Sequence, residues 1–137
     1  MRDRPGEAAV VDAAVAAERA LEVAQGRVLA CDDLGDPVAA LRHAYELLVP
    51  GGILVVVEPW STDRIEDSID NPVARLDYAI STSLCTPTSL AQPGGHALGT
   101  SGGPARRVRL LAEAGFASAR VVLDTGQNLV LAATKPE

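Results

Sequence analysis

Two adjacent carboxylates, Asp32 and Asp33, follow the short apolar run Arg27-Val28-Leu29-Ala30-Cys31, and a third, Glu58, ends the run Ile53-Leu54-Val55-Val56-Val57. Acids at the ends of buried strands suit acid–base work, because burial favours the neutral carboxyl and brings its titration closer to neutral pH. Asp32 is the candidate proton acceptor; the alternative is a solvated acidic loop that only leads into a helix cap. Glu58 either accepts a hydrogen bond from a substrate or bonds only to neighbouring loop amides. His96 stands in a Gly-rich stretch and is a second candidate base, since imidazole titrates near neutrality; otherwise it is an exposed loop histidine. Trp60 and Tyr78 either wall a pocket or pack beneath an insertion. Arg106, Arg107 and Arg109 begin a helix and read as a solvated face, with a carboxylate-bearing substrate as their alternative use. Cys31 and Cys85 lack partners at zinc-ligand spacing, so they read as reduced thiols, and neither a metal centre nor a nucleophilic triad is indicated.

The elements that position these residues follow from pattern. From Glu7 to about Gln25 the chain is Ala-rich and helix-forming, with Gly26 as its stop. Arg27 to Cys31 and Ile53 to Val57 do not alternate, the signature of strands covered on both faces. Between them Asp36 can cap a helix that has Pro37 in its first turn and runs to about Val49, with Val38, Leu41, Tyr45 and Leu48 on one stripe. Pro50-Gly51-Gly52 ends it, so strand, helix and strand form a parallel crossover unit. The stretch 60–71 is polar, and 72–85 is helical, with Val73, Leu76, Ile80 and Leu84 on one side. The Gly- and Pro-rich stretch 86–103 predicts a mobile loop. A helix from Pro104 to Ala114 precedes two strands, Ala117 to Leu123 and Asn128 to Thr134, joined as a hairpin by Asp124-Thr125-Gly126-Gln127.

The chain has 137 residues, of which 47% are hydrophobic and 22% charged, a composition for one globular domain. A net charge of −6 offers no field for phosphate backbones or anionic lipid, so nucleic acid and membrane are not expected as partners. With no apolar run of membrane-spanning length and a charged N-terminus, the expected location is the cytoplasm.

The pieces Asp33-Leu34-Gly35-Asp36-Pro37, Leu48 to Pro59 and Ser83-Leu84-Cys85-Thr86-Pro87-Thr88-Ser89-Leu90, in this order and with the terminal hairpin, resemble the C-terminal half of class I S-adenosylmethionine (SAM)-dependent methyltransferases. The resemblance covers Arg27 to Lys135. It implies an α/β fold, a truncated Rossmann-like sheet made of that family's fourth, fifth, seventh and sixth strands. It also implies SAM as cofactor, a small-molecule acceptor of natural-product type, and Cys31 and Asp33 as cofactor-side positions. The family's first three strands, its Gly-rich loop and its ribose-binding acid have no counterpart here, and Asp32-Asp33 replaces the usual His-Asp pair. Three functions are therefore weighed: methyl transfer, a repurposed half-fold that binds or cyclises a small molecule without the cofactor, and a non-catalytic partner subunit. Domain expectations are an Ala-rich helix at 1–26 and a half-domain at 27–137 with an insertion at about 60–103. The resemblance would put Arg27–Cys31 in mid-sheet, so as an edge it calls for a cover, from the N-terminal helix, a second copy in a homodimer, or another chain.

Overall fold

The computed structural model describes residues 27–29 and 31–137. The Ala-rich helix expected at 1–26 lies outside the described residues. Eleven residues, Pro37–Leu47, form helix α1 between strands β1 (Arg27–Leu29) and β2 (Ile53–Pro59), which are parallel. Asp36 caps α1 by accepting a hydrogen bond from the Ala39 amide at 2.9 Å, and Pro37 needs no partner at its first position. Asp36→Ala is expected to cost about 1 kcal/mol in urea denaturation, the usual worth of such a cap.

Strands β3 (Ala117–Asp124) and β4 (Asn128–Thr134) form the terminal hairpin, and β4 inserts antiparallel beside β2, giving the order β1-β2-β4-β3. This is the strand order that the methyltransferase resemblance implied. Helix α4 (Pro104–Glu113) packs with α1 on one face of the sheet. Between them Leu41, Leu54, Leu111 and Leu131 are buried to 1% exposure or less, and Phe116 meets Tyr45 edge to face at 5.1 Å.

Three expectations are corrected. β2 is not equally covered on both faces: Leu54, Val56 and Glu58 are buried while Ile53, Val55 and Val57 are only partly so. Its unbroken apolar run concealed this alternation because Val and Ile suit both environments. In the insertion, α2 (Pro72–Ile80) continues through a π turn at Ser81–Cys85 into the short helix α3 (Thr86–Leu90). The apolar side faces outward there, with Leu76, Ile80 and Leu84 exposed by 61%, 41% and 60%. Finally, the stretch expected as a mobile loop is packed. Leu98 is fully buried in the core, and Gly99, Thr100 and Gly102 are buried beside it.

Candidate functional site

The loop that leaves β1 is fastened to the insertion along a continuous seam. Ser89 donates to the Leu34 carbonyl at 2.6 Å, Gln92 donates through Nε2 to the Asp33 carbonyl at 3.0 Å, and its Oε1 accepts from the Gly35 amide at 3.0 Å. His96 and Gly99 complete the seam, their amides reaching the Gly35 and Asp32 carbonyls at 2.9 Å. Gly35 is required by contact: a β-carbon there would meet Gln92 Cβ at 2.5 Å and the Pro93 carbonyl at 2.6 Å. Gly35→Ala is expected to pry the two loops apart at a cost of about 1–3 kcal/mol, measured by urea denaturation.

Beneath this seam lies a buried ion pair. Glu58, next to last in β2, is 1% exposed, and its Oε1 accepts the Cys31 amide at 2.6 Å. Arg107, 3% exposed, points from α4 to the other carboxylate oxygen, with Nη2 3.5 Å from Oε2, while its Nη1 donates to Ser61 at 3.0 Å. Burial raises the Glu58 carboxyl to about 7, although the Arg107 charge and the Cys31 amide both pull it down. The same burial, with Glu58 beside it, pushes the Cys31 thiol far up, so this sulfur is no nucleophile near neutral pH.

Arg107 corrects the expectation of a solvated arginine face. A signal for it existed: Arg107 shares the spacing of Leu110, Leu111 and Ala114, the stripe that α4 turns inward. A long side chain at that phase must either be buried with a partner or leave the stripe, and Glu58 is the partner.

Of the remaining candidates, Asp32 is half-buried near the Cys85 thiol; burial, with the Asp32 carboxylate adding to it, lifts Cys85 to about 11. Asp77 on α2 is also close enough for the Asp32 charge to raise it, after burial, and Thr100 donates to its carbonyl at 3.2 Å. The structure therefore brings Asp32, Asp77 and Cys85 together at the C-terminal end of β1, with Glu58 behind them. Asp33 is exposed, its carbonyl held by Gln92. Trp60 is half-buried against the core and Tyr78 half-buried on α2. Arg106 donates to His96 Nε2 at 3.1 Å, which requires the His96 proton, when the ring is neutral, to lie on Nδ1. His43 is exposed beside Glu46. Sequence reasoning missed Asp77, Cys85 and Arg107, because their roles depend on which helix face meets the β1 loop.

Among the described residues no cluster of His, Cys, Asp and Glu has the makings of a metal site, and no helix is long and apolar enough to cross a membrane. Cys31 is 3% exposed beneath Glu58, and the glycines at 94, 95 and 99 belong to the seam instead of a strand-to-helix turn.

No family model matches the chain, and no curated protein does. Among solved structures, human N-acetylserotonin methyltransferase in complex with SAM aligns with a TM-score of 0.56 and 23% identity over 82% of this chain. A possible exported protein from Bordetella parapertussis aligns with a TM-score of 0.46 and 25% identity, also over 82%. The chain spans 29% of the methyltransferase and 39% of the second protein. Strand order, crossover helix and terminal hairpin together give this chain a methyltransferase-like α/β fold.

Proposed function

We propose that this chain supplies the acceptor-side, C-terminal half of a SAM-dependent methyltransferase unit acting on a small molecule, and that strands placed beyond β1 supply the cofactor half. The observation that supports this reading is the convergence of Asp32, Asp77 and Glu58 at the C-terminal edge of a methyltransferase-ordered sheet, where open α/β folds bind their ligands. In that arrangement Asp32 takes up the acceptor's proton and Trp60 and Tyr78 form apolar walls. His96 is the second proton acceptor of the reading once Arg106 releases its Nε2, and Cys31 and Asp33 mark the side from which the cofactor half approaches. β1 is the terminal strand of the described sheet, so it is the strand on which a second copy or a completing chain would pair. The reading places the protein in the cytoplasm and keeps 1–26 as a separate N-terminal helix.

The test is calorimetric titration of the purified chain with SAM and S-adenosylhomocysteine, with the oligomeric state fixed by light scattering. The expected result is an assembly larger than a monomer that binds with Kd below about 1 mM, equivalent to about −4 kcal/mol. An assembled sample that gives no binding heat removes the cofactor and leaves the repurposed half-fold. With an acceptor in hand, unchanged turnover in both Asp32→Ala and His96→Ala would sink the assignment of proton acceptors.

A further inference from the structure

Arg107 joins two separate parts of the site's framework. It spans from α4 to Ser61 at the start of the insertion and to Glu58 at the end of β2. Through Glu58 Oε1 it reaches the Cys31 amide, and the next residue, Asp32, is the one whose carbonyl accepts from Gly99. A turn of the Glu58 carboxylate therefore moves the root of the Asp32-Asp33 loop and, through Gly99, the inner end of the His96 loop.

The contact itself is incomplete as a direct bond. Glu58 Oε2, Arg107 Nε and Arg107 Nη2 are all buried and have no hydrogen-bond partner, and the 3.5 Å gap is long for an N–H···O bond. Three such atoms in one spot are costly unless something meets them. A cavity of about 10 Å³ adjoins them, lined by Cys31, Val56, Leu98 and the pair itself. That is the room one water needs, and the carboxylate and guanidinium supply the polar partners that hold a water in an otherwise apolar wall.

We propose that Arg107 is the positioning residue of this site: through Glu58, and with one buried water completing their contact, it sets the Cys31 amide and so the Asp32 and Asp33 carboxylates. The proposal rests on the reading of that loop as the reacting edge. The groups facing Glu58 are Arg107, the Cys31 amide and thiol, and Asp32.

The experiment follows the Cys31, Asp32 and Gly99 amide resonances against pH in the full chain, in Arg107→Lys and in Arg107→Met. A 2.6 Å bond to a carboxylate shifts the Cys31 amide proton downfield, and the shift falls when the acid is protonated. Arg107→Lys is expected to keep all three titrations near their original midpoint. Arg107→Met is expected to move them together to higher pH, which lost packing alone would not do. Three midpoints that stay in place in Arg107→Met overturn the positioning role. Should Arg107→Met fail to fold, the decision passes to Arg107→Gln, in which midpoints that stay in place overturn the role and a joint shift to higher pH supports it. The water is read in the unaltered protein as a nuclear Overhauser effect between a long-lived water and the Arg107 Nε proton; its absence overturns the bridge. These signals involve neither cofactor nor acceptor, so a chain that fails to bind SAM leaves them standing.

Discussion

Arg107→Met is expected to destabilise the protein by about 3 kcal/mol at pH 8 and by much less at pH 5, measured by urea denaturation at the two pH values. Methionine preserves most of the buried stem, so the loss is electrostatic more than volumetric. At pH 8 the variant must either keep an ionised Glu58 without its counter-charge or hold it protonated against the solvent, and both are costly. At pH 5 the carboxyl is neutral in any case, because burial already holds it near 7 with the arginine present. The price of removing Arg107 is then limited to its bond to Ser61 and some packing. A loss that is equal at the two pH values would mean that Arg107 acts by packing alone.

Glu58→Gln is expected to act in the opposite direction. The carboxyl rises from 4.5 to about 7 on folding, so the folded chain holds the proton more tightly than the unfolded one. Stability from this group is fully present below pH 4.5 and is lost as pH rises through about 7, because the unfolded chain has already released its proton. At about 1.36 kcal/mol per pH unit the loss is on the order of 3 kcal/mol. Glutamine keeps an oxygen for the Cys31 amide and has no proton to lose, so it removes this slope. The variant matches the parent near pH 4.5 and exceeds it near pH 8. A parent and variant with parallel pH profiles would show that Glu58 does not titrate in this window. The opposite signs of the two variants follow from one asymmetry: a buried carboxyl can shed its charge, whereas guanidinium cannot.

Much of the architecture was legible in the residues. The parallel crossover, the Asp36 and Pro37 start of α1 and the hairpin came from apolar runs and punctuation, which depend on local backbone chemistry, whereas the strand order came from the family resemblance. The candidate site was legible in part. Asp32 and Glu58 were found because an acid after an apolar run marks a strand end whatever packs around it. Two environments were misread. The Gly- and Pro-rich stretch 86–103 has the composition of a solvated loop, yet Leu98 anchors it in the core and its amides serve the β1 loop. Its glycines provide close approach, which composition cannot distinguish from freedom. The insertion helix presents the converse case: its apolar stripe is real, but Leu76, Ile80 and Leu84 face away from the body.

By itself the sequence determined the strands, the helices other than α3, how they succeed one another, and which acids stand at strand ends, since period, capping and turn chemistry are written within a few residues. Only the tertiary structure decided that Arg107 is buried against Glu58, that Asp77 and Cys85 gather around Asp32, and that the 92–100 segment closes over the β1 loop. Those pairings join residues 45 to 67 positions apart. Their energies depend on burial and distance, which exist only once α2 and α4 have been packed against the sheet.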